Sequence, residues 1–230
     1  MIKGIMFDMG GTLVEWDYLG IPADVLYDHI VDKSINRDEF MAFVERLVEE
    51  TLNQRTTFEA PFSSFIDAIL KYYHTKLDIS MDEMEILYQE NLFKFRPIKG
   101  VFDVLEECKK EGLKMIVLSN TFFSSKALCK VLEEQGLLKY FDKVLASADY
   151  LVRKPSPIFF EMGLHEINLN KNEVMYIGDS YKYDVTGCLL AGIPMLYYHH
   201  WDDKKYELFE SIKEIKEYDE LKGVEICKIF

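Results

Sequence analysis

The stretch FDMGGTL, residues 7–13, decides how the chain is read. The apolar run at residues 2–7 has the composition of a buried strand, and it ends on a carboxylate, Asp8. A carboxylate close behind a buried strand needs a partner, because an unpaired buried charge is very costly. A lysine or a hard cation would serve. Gly10 and Gly11 follow, and Gly11 lets the backbone turn and approach a ligand closely.

Outward from this stretch, further short apolar runs occur at residues 113–118, 141–146, 174–177 and 194–198. Helical patterns lie between the later ones. Residues 101–111 place Val101, Val104, Leu105 and Cys108 on one face, and residues 124–135 stop at Gly136, a good helix terminator. Strands alternating with helices predict an α/β fold with a Rossmann-like parallel sheet covered on both faces.

Residues 15–95 differ. They read as helical throughout, over 24–32, 37–53, 61–77 and 81–93, with no convincing strand. Ser80 and Glu83 form a capping-box pattern before the last of these. The expected organisation is a core of residues 1–14 and 97–230, interrupted by an all-α helical cap of residues 15–96. Arg96-Pro97-Ile98-Lys99-Gly100 is the expected return hinge. Ligands of open α/β sheets sit at the carboxyl ends of the strands. An insert leaving the end of the first strand therefore stands over that place, as a lid would.

The formal net charge is -13. Such a surface repels phosphate backbones and anionic lipid, so it argues against nucleic acid and membranes as partners. The four cysteines are scattered, without the clustering of a zinc site, as expected for free thiols in a reducing cytoplasm. Neither a leader-like start nor an apolar run of membrane-spanning length is read.

Four polar groups fall where strands are expected to end: Asp8, Ser119-Asn120, Asp179, and Lys154 in the loop Arg153-Lys154-Pro155. In a parallel sheet these ends share one edge. Individually each has an ordinary explanation, as a cap, a turn or a solvated lysine. Their conjunction points to a site.

In this order and context, Asp8-Met9-Gly10-Gly11-Thr12-Leu13, Leu118-Ser119-Asn120, Arg153-Lys154-Pro155 and Gly178-Asp179-Ser180 with Asp184 resemble the four motifs of the haloacid dehalogenase-like hydrolase superfamily. The match spans nearly the whole chain, and the insert corresponds to that family's first cap type. The resemblance implies a magnesium-dependent phosphatase acting on a small phosphorylated metabolite. Asp8 would be the nucleophile that forms an aspartyl-phosphate. Asp8, Asp179 and the Gly10 carbonyl would hold Mg²⁺, a cation that prefers oxygen ligands. Lys154 would neutralise phosphoryl charge. Gly11, Thr12, Ser119 and Asn120 would contact or frame the phosphoryl group, and Asp184 would orient Lys154 or metal-bound water.

Position 10 departs from the pattern. Phosphatases resembling this chain usually carry a second aspartate there, which protonates the leaving alkoxide and then activates water. The resemblance therefore leaves open a slow phosphatase, an acid from elsewhere, or esters whose leaving group needs no proton. Beyond the phosphatase, the alternatives are a carbon–halogen or carbon–phosphorus hydrolase and an impaired phosphate-ligand binding module. Candidate cap contacts are Trp16, Arg46, Arg55 and Glu59. His199, His200 and Trp201 are read as loop residues at the site rim, since adjacent histidines on a strand point to opposite faces.

Overall fold

The computed structural model describes residues 1–53, 56–201 and 204–230. In chain order the elements are β1 (Gly4–Phe7), β2 (Val14–Tyr18), α1 (Ala23–Asp28), α2 (Arg37–Asn53), α3 (Phe62–Tyr72), α4 (Met81–Leu92) and β3 (Phe93–Pro97). They continue with α5 (Val101–Lys110), β4 (Lys114–Ser119), α6 (Ser125–Glu134), β5 (Lys143–Ala146), α7 (Ser147–Tyr150) and α8 (Pro157–Ile167). The last are β6 (Val174–Gly178), α9 (Thr186–Ala191), β7 (Met195–Tyr198) and β8 (Ile212–Ile215).

Six strands form one parallel sheet in the order β5-β4-β1-β6-β7-β8. Alternate side chains of β1, β4 and β6 feed two cores. Ile5, Phe7, Met115, Val117, Met175 and Ile177 pack on one face, and Met6, Ile116, Leu118, Val174 and Tyr176 on the other. This is why those strands read as continuous apolar runs rather than as alternating ones. In β1, Phe7 lies level with Val117 of β4 and Ile177 of β6. The residues just beyond, Asp8, Ser119 and Asp179, therefore emerge together at one edge.

Between β2 and β3 the four helices α1–α4 build their own core, in which Leu26, Phe40, Val44, Phe62, Ile66 and Met84 are fully or almost fully buried. Phe123, just before α6, and Ala127, in its first turn, belong to the same cluster, so the insert is seated on the sheet domain. The Ser80 capping box is present: Glu83 N–H donates to Ser80 Oγ at 3.2 Å and Ser80 N–H to the Glu83 carboxylate at 2.9 Å.

One expectation is corrected. Residues 15–95 are not free of strands, because β2 and β3 pair antiparallel from Val14↔Pro97 to Tyr18↔Phe93 at the root of the insert. Both strands alternate apolar and charged residues, Val14-Glu15-Trp16-Asp17-Tyr18 and Phe93-Lys94-Phe95-Arg96, a strand pattern that the helical reading passes over, and the whole helical insert separates them in sequence. Two helices are also shorter than their patterns. Where residues 29–32 were expected to be helical, Ile30 instead forms a bridge with Leu77. α3 ends before His74, whose φ of 52° is left-handed. β8 carries no reading in the sequence. Among the described residues no helix is long and apolar enough to cross a membrane.

Candidate active site

Lys154 is 1% exposed, and its ammonium group has all three protons engaged. It donates to Asp8 Oδ1, Asp184 Oδ1 and the Tyr176 hydroxyl, each at 2.7 Å. Burial alone would depress the Lys154 pKa, but Asp184 and Asp8 outweigh it and hold the group above its ordinary value, charged at any physiological pH. The loop carrying Lys154 is pinned from β4. The Asn120 side chain accepts from Lys154 N–H at 2.8 Å and donates to the Lys154 carbonyl at 3.0 Å. The side chain of Asn120 is thus committed to positioning Lys154.

Asp184 reaches the site through a π-helical turn, Tyr181–Val185, of the kind frequent at functional sites. It is fully buried, not the exposed helix residue that a lone carboxylate there would suggest. It accepts from Lys154, from the Tyr176 hydroxyl at 3.0 Å and from Ser180 N–H at 2.9 Å.

Asp179 accepts from Thr12 Oγ1 at 3.2 Å and from the Trp201 indole N–H. Gly11 passes between these groups. Its φ is +78°, and a Cβ there would lie 2.4 Å from Asp179 Oδ2, so both conformation and space demand glycine. The Gly11 carbonyl accepts from His200 Nε2 at 2.7 Å. Burial lowers the His200 pKa, consistent with a neutral ring donating this bond. His199 turns away, as the alternation predicts, and meets Glu214 at 2.9 Å. His200 and Trp201, read only as rim residues, thus touch the turn and Asp179 directly. Tyr176 escaped notice because a tyrosine inside a buried strand reads as core.

Asp8, Asp179 and Asp184 offer oxygens within 4.8 Å of one another. Three carboxylates against one ammonium leave two negative charges unneutralised in a buried place. Burial pushes Asp8 up to about 6, with Asp179 adding and Lys154 opposing. Burial and then the charge of Asp184 push Asp179 up to about 6. Oxygen-only donors carrying this excess charge suit a hard divalent cation.

Of the cap candidates, Trp16 lies against position 10: a Cβ on Gly10 would come within 3.0 Å of its ring. Trp16 also meets Trp201 edge-on at 6.0 Å between centroids. Glu59 is 3% exposed and pairs with Arg153 at 3.2 Å, so it ties the insert to the Lys154 loop rather than facing a ligand. Arg46 is exposed beside Phe43. Arg55 lies outside the described residues.

The family model described as haloacid dehalogenase-like hydrolase matches residues 5–198. A glyceraldehyde 3-phosphate phosphatase of Methanocaldococcus jannaschii is 25% identical, covering 94% of this chain and 99% of its own. An (S)-2-haloacid dehalogenase of Pseudomonas sp. is 24% identical over 95% of this chain and 90% of its own. Among solved structures, a haloacid dehalogenase-like phosphatase from Thermococcus onnurineus superposes with a TM-score of 0.65 at 24% identity, covering 96% of each chain.

Proposed function

The chain belongs to the haloacid dehalogenase-like hydrolases, and within that family we propose that it is a magnesium-dependent phosphatase of small phosphate esters, acting through an aspartyl-phosphate on Asp8. The observation that carries this is the buried cluster in which Lys154 bridges Asp8 and Asp184 beside Asp179. Asp8 stands at the head of β1 with its second oxygen uncommitted to Lys154, suited to attack phosphorus. Lys154, fixed by three bonds, supplies a positive charge that needs no reorganisation as phosphoryl charge develops. Ser119 and the backbone around Gly11 and Asn120 frame the phosphoryl oxygens. Asp8, Asp179 and the Gly10 carbonyl would hold magnesium, which when bound supplies the two missing positive charges beside the phosphoryl group. The helical insert of residues 15–96 acts as the cap. A metal-free dehalogenase fits less well, because an anionic haloacid would meet three carboxylates with one counter-charge.

The test is phosphate release from a panel of esters with Mg²⁺ and with EDTA, together with thermal unfolding across pH. Release is expected only with Mg²⁺. Carboxylates whose pKa is raised to about 6 lose a bound proton above that pH and become ligands. Mg²⁺ should therefore raise the melting temperature at pH 7.5 and hardly at pH 5. Turnover in EDTA, or an equal shift at both pH values, would contradict the proposal.

Position 10 gives a second expectation. A Cβ at position 10 would meet the ring of Trp16 at 3.0 Å, so in Gly10→Asp that ring must give by a few tenths of an ångström, and the substitution alone should gain less than with the ring removed. Gly10→Asp combined with Trp16→Ala should raise turnover of alkyl phosphates by about 10²-fold, a typical general-acid contribution. Esters with good leaving groups should change far less. Equal gains on both kinds would show that a proton donor already exists elsewhere.

A further inference from the structure

Three segments hold Lys154: its own loop, the end of β4 through Asn120, and the π-helical turn through Asp184. A buried ion pair, Glu59 of the insert with Arg153, connects all three. Arg153 Nε lies 3.2 Å from Glu59 Oε2, and the two side chains are 3% and 4% exposed. Arg153 precedes Lys154 in the chain, and its guanidinium lies over the ring of Tyr183 in the π-helical turn, 5.3 Å from the centroid. Ser147 carries the contact to the third segment. Its hydroxyl lies 3.3 Å from Glu59 Oε2, accepts from Thr121 N–H at 2.8 Å and reaches the Thr121 carbonyl at 2.9 Å, and Thr121 follows Asn120.

The backbone of the insert is tied to the same place. Residues 57–59 run antiparallel beside residues 151–153. Phe58 bridges Val152, Arg153 N–H donates to the Thr57 carbonyl at 3.0 Å, and Glu59 N–H donates to the Leu151 carbonyl at 3.3 Å. Stability does not account for placing charge here. A buried ion pair seldom gains over well-packed apolar residues of similar volume, and its best-attested use is to fix register. The contact between Glu59 and Arg153 is one of charge, since Arg153 Nε makes no hydrogen bond. Neutralising Glu59 therefore removes the attraction while keeping the shape.

We infer that Glu59 is a positioning residue: its charge, acting through Arg153 and Ser147, fixes the loops that place Lys154, so that seating of the insert and placement of the lysine are one event. The catalytic consequence rests on the phosphatase proposal; the placement itself does not. In that proposal Lys154 serves the charge that develops on the phosphoryl group, so a displaced ammonium costs transition-state stabilisation rather than ester binding. The expected mark is a fall in kcat at nearly constant KM. A misplacement on the order of 1 Å is worth about 10²-fold in rate.

The experiment sets Glu59→Gln beside the double variant Glu59→Leu/Arg153→Met. It follows turnover of 4-nitrophenyl phosphate, or of a better ester from the panel, with Mg²⁺. It also follows thermal unfolding and, by peptide mass spectrometry, acetylation of Lys154 by acetic anhydride. Alkylation of Cys108, fully buried on the face of the sheet opposite Tyr176, reports global opening. Glu59→Gln is expected to lower kcat by about 10²-fold with KM within about twofold. Lys154 acetylation should quicken by about tenfold as the loop opens locally, while Cys108 alkylation holds. The double variant should regain the wild-type melting temperature and keep the low kcat. Lys154 and Cys108 labelling that rise in step, an unchanged kcat in Glu59→Gln, or a wild-type kcat in the double variant would overturn the inference. If the wild type releases phosphate from no ester, the phosphatase proposal fails, and the ratio of the two labelling rates decides the placement of Lys154 by itself.

Discussion

Asp8→Asn is expected to cut magnesium-dependent phosphate release by about 10⁴-fold or more, the scale seen when a covalent nucleophile is removed. Asparagine keeps the shape and can still accept from Lys154, so the loop around residue 154 should stay in place. The fold should not suffer. Asp8 ionises in the folded protein only near pH 6, well above its ordinary value, because burial dominates. A carboxyl with a raised folded pKa works against folding above that pKa and is relieved as pH falls towards the unfolded value. At pH 7.5 the neutral asparagine removes that burden, so the melting temperature without metal should hold or rise. Residual turnover above about one part in a hundred would show that Asp8 is not the attacking group.

Lys154→Met should have the largest effect on stability. The substitution leaves Asp8 and Asp184 buried without the ammonium that joins them. Breaking a buried ion pair by removing one partner costs about 3–5 kcal/mol. The loss should depend on pH in a definite direction. Without Lys154 the carboxyl pKa values climb further, so the folded state binds more protons than the unfolded chain once pH exceeds about 4. Stability of the variant should therefore increase as pH falls from 7.5 to 5.5. Urea unfolding at the two pH values measures it. Equal losses at both would mean that the cost comes from packing rather than from stranded charge.

Much of this candidate site is legible in the sequence. Asp8 and Asp179 follow, and Ser119 ends, a strand of largely apolar composition, and parallel strands put like ends on one edge. Lys154 and Asp184 were legible only through their resemblance to a family pattern, since each alone reads as a surface charge. The residues that escaped were those whose neighbours are distant in sequence. Tyr176 looks like core until its hydroxyl meets Lys154 and Asp184. Trp201 looks like a loop aromatic until its indole reaches Asp179. Glu59 was a candidate ligand contact until Arg153, 94 positions later in the numbering, closed on it.

The order of strands and helices, the presence of a helical insert after the first strand, and the carboxylate that closes the first apolar run are written in local periodicity and in short motifs, because those depend on neighbours three or four residues away. The pairing of β2 with β3 and the ring of Trp16 lying against Gly10 depend on how the insert seats against the sheet. No local pattern encodes that seating. It follows from where the insert's buried faces find Phe123 and Ala127, and so only the folded chain decides which chemistry stands over Asp8.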